Sequence, residues 1–101
     1  AHGANVNEAR DHLKPVLNEL VRWGQFEAAR MYLRKGASPN IKDERGWTAL
    51  HQAVSRGNLN IVRDLMSAGA DPTIAANDGS TPRGTAKKLK DQRIFQTLNI
   101  N

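Results

Sequence analysis

The chain has 101 residues and a net charge of +5, and its hydrophobic share of 39% and charged share of 25% are those of an ordinary globular domain. It contains no cysteine, which excludes disulfide scaffolds, thiol catalysis and zinc sites built from thiolates, and which fits a reducing intracellular compartment. Its apolar runs are only a few residues long and too short to span a membrane. The surplus of basic residues favours acidic partners and raises nucleic acid as an alternative.

One fixed spacing recurs along the whole chain. The dipeptide Gly-Ala begins at positions 3, 36 and 69, and flanking residues match at the same spacing. Further matches are Asn7 with Asn40, Pro39 with Pro72, Gly24 with Gly57, Thr48 with Thr81, and Leu65 with Leu98. A period of about 33 residues is typical of a solenoid built from stacked helical repeats.

The period divides the chain into four parts. They are the loop stub of a preceding repeat at 1–8, a divergent repeat at 9–41, a full repeat at 42–74 and a C-terminal capping repeat at 75–101. The stub AHGANVN matches the segment RKGASPN, which begins at Arg34. We therefore expect this chain to be part of a longer repeat array or multidomain protein.

Two helices are predicted in the divergent repeat. Pro15 suits the first turn of the first helix, where its missing N–H costs nothing, and Gly24 ends that helix. Gly36 ends the second helix. Apolar residues at helical spacing mark the buried sides of both. They are Val16, Leu17, Leu20 and Val21 in the first helix, and Phe26, Ala29, Tyr32 and Leu33 in the second.

The full repeat follows the same plan more regularly. Thr48 and Asn58 are good N-caps, because their side-chain oxygens can accept a bond from a free N–H of the first turn. Gly57 and Gly69 end the two helices. The buried sides are predicted to consist of Leu50, Ala53, Val54, Ile61, Val62, Leu65 and Met66.

The capping repeat becomes polar after Thr81 and Pro82. Arg83 stands where the full repeat has Leu50, and lysines follow at positions 87, 88 and 90. The remaining apolar residues of this part are Ala86, Leu89, Ile94, Phe95 and Leu98. A polar outer face is what a terminal repeat needs, because no further repeat covers it.

The segment DERGWTALHQA, which begins at Asp43, resembles the ankyrin-repeat signature, with Ala49 where the family usually has proline. Together with the repeat period, the resemblance covers nearly the whole chain. It implies an all-α ankyrin-repeat solenoid of stacked helix–turn–helix units with projecting β-turn loops. By this resemblance His51 bonds the threonine hydroxyl and the backbone of a neighbouring loop. The residues that match the structural motif are Thr48, Leu50, His51, Gly57 and Gly69.

The divergent repeat departs from the signature at its start. Lys14, Pro15 and Asn18 stand at the positions of the signature tryptophan, threonine and histidine. We therefore expect the loop that enters this repeat to be irregular.

Catalytic and metal-binding patterns are weak in this sequence. His51 lies near Thr48, Ser55 and Asp43, which would allow a nucleophile and a base, but the ankyrin resemblance gives this histidine a structural role. The three histidines lack metal-ligand spacing, and no glycine-rich phosphate loop is present. We expect no enzymatic activity, no cofactor and no metal.

The turn tips and the exposed sides of the first helices form one concave face in the ankyrin arrangement. Both tryptophans and several arginines fall on this face, and these are the residue types most enriched at binding hot spots. Their structural alternatives are packing for the tryptophans and plain solvation for the arginines. The expected partner-binding residues are Arg22, Trp23, Lys42, Glu44, Arg45, Trp47, Ser55, Arg56, Asn77 and Lys88. Asp11, His12, Lys14, Asp78, Ser80 and Leu89 fall on the same face.

The sequence thus predicts a non-enzymatic protein-interaction module, cytoplasmic or nuclear, that binds an acidic peptide or partner surface. One alternative is a reader of basic or methylated-lysine tails, with Trp23, Trp47 and Glu44 as an aromatic cage. Another is a basic module associated with nucleic acid, although no reading helix or stacking platform is recognised.

Overall fold

A computed structural model of the protein describes residues 15–99, and this range is all-helical with no strand. The helices are α1 (Val16–Arg22), α2 (Phe26–Arg34), α3 (Ala49–Arg56), α4 (Leu59–Ser67), α5 (Pro82–Lys88) and α6 (Gln92–Leu98). The predicted all-α class is confirmed.

The six helices form two layers. The inner helices α1, α3 and α5 pack side by side, and α2, α4 and α6 pack behind them. Hydrogen bonds join α1 and α3 at both ends. Asn18, in the first turn of α1, binds the carbonyl of Trp47 just before α3, and Arg56 at the end of α3 binds the carbonyl of Arg22 at the end of α1. The two helices therefore run in the same direction, with their starting turns along one edge of the stack.

The core lies between the two layers, and the full repeat contributes more than half of its residues. In a stack of this kind each helix pair buries its apolar side against its neighbours, so burial holds the repeats together. The buried apolar cluster consists of Leu17, Val21, Ala29, Ala49, Leu50, Ala53, Val54, Ile61, Val62, Leu65, Ala70, Ala86, Ile94 and Leu98.

Side chains cap the starts of four helices. Thr48 and Asn58 accept from backbone N–H groups of α3 and α4, as predicted, and Thr81 and Asp91 do the same for α5 and α6. Gly57 ends α3 in the left-handed conformation, with φ of +71°. The predicted boundaries of the helices in the full repeat are thereby explained by local hydrogen bonds and backbone geometry.

The prediction that Val16 belongs to a buried stripe is wrong. Its side chain is 49% exposed, whereas Ala49, its equivalent in the full repeat, is fully buried. The difference follows from the packing of α1, which contacts α2 and α3 but has no helix on its other side within residues 15–99. Leu17 and Val21 of the same stripe are buried.

Candidate functional site

The turn that leads into α3 is fixed by the side chain of Asp43. Its Oδ1 accepts hydrogen bonds from the backbone N–H groups of Arg45 and Trp47, both at 2.9 Å. Its own N–H donates to the carbonyl of Trp47 at 2.8 Å. Aspartate often stabilises turns by such bonds to nearby backbone groups. The turn therefore holds Glu44 and Arg45 at its exposed tip.

The next turn along the stack binds directly to this one. The backbone N–H of Asn77 donates to the carbonyl of Arg45 at 2.9 Å, and its side-chain Nδ2 donates to the carbonyl of Glu44 at 2.9 Å. Gly46 allows this approach, since a Cβ at this residue would lie 2.7 Å from the Asn77 nitrogen. Asn77 was predicted as a partner-binding residue, and its amide nitrogen is engaged in joining the two turns.

His51 makes the bonds that the ankyrin resemblance implied. The N–H of Thr48 donates to Nδ1 at 3.0 Å, and the Thr48 hydroxyl lies 2.9 Å from the same nitrogen. Nδ1 therefore carries no proton, and Nε2–H donates to the carbonyl of Ser80 at 3.1 Å. Burial lowers the pKa of His51 below its usual 6.5, and the bond to Ser80 opposes that shift only in part. The neutral imidazole is thus the form that fits the fold.

Trp47 both packs within the fold and contributes to the surface. Its ring stacks on the imidazole of His51, with centroids 5.6 Å apart and planes inclined by 25°. The guanidinium of Arg45 lies 4.7 Å from the centroid of the indole. Trp47 is partly buried, while Arg45 is exposed. The pair presents a fixed cation next to an aromatic ring.

A second tryptophan–arginine pair stands at the end of α1. Trp23 is 65% exposed, yet its Nε1–H donates to Glu19 Oε1 at 3.1 Å. The guanidinium of Arg22 lies 5.1 Å from the indole centroid and 3.8 Å from the Glu19 carboxylate. The ring is therefore held in place although most of its surface faces solvent.

Arg56, at the end of α3, adjoins this second pair. Its Nη1 donates to the carbonyl of Arg22 at 2.9 Å, and its guanidinium lies 5.7 Å from the ring of Phe26. Ser55 beside it is exposed, as is Lys88 at the end of α5. The ends of the inner helices thus carry a row of exposed polar and cationic side chains.

The predicted partner-binding residues fall into two groups on this side of the stack. The turn cluster consists of Lys42, Glu44, Arg45, Trp47 and Asn77, and the helix-end cluster consists of Arg22, Trp23, Ser55, Arg56 and Lys88. They lie at opposite ends of the inner helices, about 12 Å apart for a helix of eight residues. Five of the ten residues are basic and one is acidic. The arrangement is predominantly cationic, and it does not bring the two indoles together.

Two aspartates in the turns of the stack remain ionised at neutral pH. The hydroxyl and N–H of Ser80 bind Asp78 Oδ1 and lower the pKa of that carboxyl. Thr73 binds Asp71 in the same way, with the same effect on its pKa. These carboxylates shape their turns, because each accepts a bond from the backbone two residues further on.

Three residues predicted on the concave face, Asp11, His12 and Lys14, lie outside the described residues, as does the loop expected to be irregular. The roles of Asn18 and Glu19 were not predicted from the sequence. Asn18 could have been found, because it stands at the position equivalent to His51. The structure places its side chain almost fully out of contact with solvent. Glu19 gave a weaker signal, a carboxylate four positions before Trp23 on the same helix face.

Among residues 15–99, no group of three or more histidine, aspartate or glutamate side chains is arranged to hold a metal ion. None of the helices in that range has the length and apolarity needed to cross a membrane.

The chain is similar to known ankyrin-repeat proteins. A family model described as ankyrin repeats (many copies) matches residues 17–66. An ankyrin repeat-containing protein of Treponema pallidum is 36% identical over 85 residues, which are 83% of this chain and 28% of that protein. Protein phosphatase 1 regulatory subunit 27 of Mus musculus is 42% identical over 67 residues, 66% of this chain and 44% of the subunit. This chain therefore spans less than half the length of either relative.

A solved structure of an ankyrin-repeat domain is also similar to this chain. An ankyrin repeat domain from Acinetobacter baumannii superimposes with a TM-score of 0.83 at 31% sequence identity. The superposition covers 96% of this chain and 52% of the other. An enzyme also contains a related stretch, since the 2-5A-dependent ribonuclease of Mus musculus is 42% identical over 67 residues, but these make up only 9% of that protein.

Proposed function

Because this chain belongs to the ankyrin-repeat family, whose members are generally protein-interaction modules, we propose that it is a non-enzymatic binding module for an acidic segment of a partner protein. The segment lies along the inner helices and contacts both the turn cluster and the helix-end cluster. A relative named as a regulatory subunit of protein phosphatase 1 supports a protein as the partner. The cysteine-free composition fits an intracellular location.

One observation supports this proposal above the others: each tryptophan carries a stacked arginine. Arg22 lies 5.1 Å from the centroid of Trp23, and Arg45 lies 4.7 Å from the centroid of Trp47. A guanidinium held by a ring loses less freedom when it binds a carboxylate, because it is already oriented. Two such pairs at opposite ends of one face favour an extended acidic ligand over a compact one.

The same geometry disfavours an aromatic cage for a methylated lysine. A cage needs rings that surround one cation. Here the indoles of Trp23 and Trp47 belong to different clusters, and each ring already has an arginine beside it.

The test is a binding titration with an acidic peptide, a lysine-rich peptide and duplex DNA as separate probes. We expect the acidic peptide to bind and the double variant Trp23→Ala/Trp47→Ala to lose about 2 kcal/mol or more of binding free energy. Met31→Ala is the matched control, since Met31 is 53% exposed on α2 and belongs to neither cluster. Because Trp47 packs on His51, the melting temperature of each variant is measured alongside.

Three results would contradict the proposal. Unchanged affinity of the folded double variant would place the partner elsewhere. Preferential binding of the lysine-rich peptide would favour a reader of basic tails. Binding of DNA of any sequence, with an affinity that falls steeply as salt rises, would favour nucleic acid.

A further inference from the structure

A pocket of about 280 Å³ lies where α5 ends and α6 begins, and none of its residues belongs to the turn cluster or the helix-end cluster. Its lining is mainly apolar. The lining residues are Ala86, Lys87, Lys90, Asp91, Gln92 and Phe95. Ligand sites for drug-sized molecules usually measure about 300–1,000 Å³, so this pocket lies at the lower limit of that range and has room for a single side chain.

The full repeat shows what the corresponding surface normally does. Val54 and Val62 are the equivalents of Lys87 and Phe95, and they are 1% and 0% exposed because α5 and α6 cover that side of the repeat. In the capping repeat Lys87 is exposed and Phe95 is only partly buried. The pocket is thus the counterpart of a stacking surface, open within residues 15–99, with a lysine in place of one of its valines.

Lys90 adds backbone strain at the rim of this pocket. Its φ is +60°, and it is the only residue other than glycine with a positive φ in residues 15–99. Gly57, its equivalent in the full repeat, holds the same kind of position with φ of +71°. A side chain in this region costs energy that glycine avoids, and such strain tends to occur at functional sites.

The charges around the pocket are mostly positive. The segment 87–93 contains four basic residues and one acidic residue. The acidic residue, Asp91, is engaged as the N-cap of α6, where its Oδ1 accepts from the N–H of Ile94 at 3.1 Å. The rim therefore attracts carboxylates, and it repels a second copy of the same end of the chain.

We propose that this pocket binds an acidic peptide segment that inserts one apolar side chain beside Phe95 and places carboxylates against Lys87 and Lys90. The apolar lining contacts the inserted side chain, and the positive charge of the two lysines favours a negatively charged ligand. The lining residues of this pocket are distinct from those of the two clusters, although Lys88 of the helix-end cluster adds to the positive charge around it. The pocket would allow the chain to hold a second segment of an acidic partner.

The experiment uses a capped Glu-Glu-Leu-Glu-Glu peptide and follows the backbone amide signals of the isotope-labelled protein by NMR. We expect the signals of Ala86, Gln92 and Phe95 to shift on titration. A peptide with serine in place of leucine should bind at least about tenfold more weakly, because it keeps the charge but leaves the pocket empty.

The variant Lys90→Gly separates binding from folding. It removes the ammonium and relieves the backbone strain, so it should melt at a higher temperature while its affinity for the leucine peptide falls severalfold. The matched control is Arg63→Gly, an exposed basic residue of α4 that does not line the pocket. That variant should retain wild-type affinity at the pocket, and it should melt at a lower temperature because it places glycine within a helix.

Several outcomes would overturn this inference. Equal affinity for the leucine and serine peptides would mean that nothing enters the pocket. Shifts confined to the neighbourhood of Trp23 and Trp47 would assign all acidic binding to the two clusters. Wild-type affinity in the stabilised Lys90→Gly variant would remove the lysine from the site. Dimerisation of the chain alone, abolished by Phe95→Ala in a folded protein, would identify a second copy as the occupant.

Discussion

Asn18 and His51 stand at equivalent positions of successive repeats and bind equivalent backbone carbonyls of the following turn. Asn18 Nδ2 lies 2.9 Å from the carbonyl oxygen of Trp47, and His51 Nε2 lies 3.1 Å from that of Ser80. Trp47 and Ser80 are themselves one repeat apart. The divergent repeat has therefore exchanged the side chain and kept the bond, and its Asn18 makes a further bond to the carbonyl of Ile41 at 3.0 Å.

Removal of this amide should destabilise the stack. Asn18 is 1% exposed, and Asn18→Ala takes the amide donor away from the carbonyls of Ile41 and Trp47, of which the Trp47 carbonyl keeps its bond from the N–H of Asp43. We expect the free energy of unfolding to fall by about 1–3 kcal/mol. Chemical denaturation of the two proteins measures the difference. Asn18→His should be hardly more stable than Asn18→Ala. The residue at the position equivalent to Thr48 is Pro15, which has no N–H to donate to the imidazole Nδ1. A fully stable Asn18→Ala variant would show that the amide bonds do not matter.

His51 should make stability depend on pH on the acidic side of neutrality. Burial holds its pKa below 6.5 in the folded state, so the unfolded chain binds a proton more readily as the pH falls. The stability contributed by neutral His51 is complete above about pH 6.5 and is lost as the pH falls from there towards the lower pKa of the folded state. Denaturation midpoints between about pH 7.5 and 5 measure this loss.

The control for this prediction is His51→Asn, the residue that the chain itself uses at the equivalent position. This variant should be less stable than the wild type at neutral pH. Its free energy of unfolding should fall less on acidification, because its amide does not titrate. The two other histidines are present in both proteins, so their effects cancel. Parallel pH profiles for the two proteins would contradict the assignment to His51.

Gly46 and Gly57 should respond differently to the same substitution. Both have positive φ, at +79° and +71°, so Gly57→Ala should cost about 1 kcal/mol in backbone strain alone. Gly46→Ala should cost about 1–3 kcal/mol more, because its Cβ would lie 2.7 Å from the backbone nitrogen of Asn77. Nothing lies within 4 Å of a Cβ at Gly57. Thermal unfolding of both variants tests which substitution destabilises the protein more. Equal losses of stability would mean that the two turns can move apart at no energetic cost.

Lys90→Gly should stabilise the protein even though it removes a side chain. Relief of the left-handed strain stabilises the folded state by about 1–2 kcal/mol. Part of this gain is lost, because glycine has more conformational freedom in the unfolded chain. We expect a net gain of about 0.5–1 kcal/mol, seen as a higher midpoint in chemical denaturation. A lower midpoint would mean that Lys90 makes contacts that outweigh its strain.

The sequence predicted the fold because its strongest signals are local and periodic. Thr48 and Gly57 act on the backbone next to them, so their roles as cap and helix end follow from residue type alone. The ankyrin resemblance, supported by the repeat period, then implied the bond of His51 to the next turn. Val16 was misassigned because its helical spacing is that of a buried residue, and spacing alone does not reveal whether a neighbouring helix covers it.

The candidate site was less predictable, because its geometry depends on side-chain pairing. Residue type and position selected Trp23 and Trp47, but the arginine beside each ring and the carboxylate of Glu19 emerge only from the packed helices. The separation of the site into two clusters follows from the length of α3 and from the parallel run of α1 and α3. A lysine at position 90 does not by itself indicate a left-handed backbone conformation. The sequence clue is Gly57, which stands at the equivalent position of the full repeat.

The most direct test of the proposed function compares two double variants that lose the same charge. Arg22→Gln/Arg45→Gln removes the two guanidinium groups that stack on tryptophans, and Arg34→Gln/Arg63→Gln removes two exposed arginines of α2 and α4. The measurement is the Kd for one acidic peptide at fixed salt. If the stacked arginines bind the partner, the first variant weakens binding about tenfold, a loss of about 1.4 kcal/mol, and the second changes it less than about twofold. Equal weakening by both variants would contradict the account, because net charge rather than the tryptophan–arginine pairs would then determine binding.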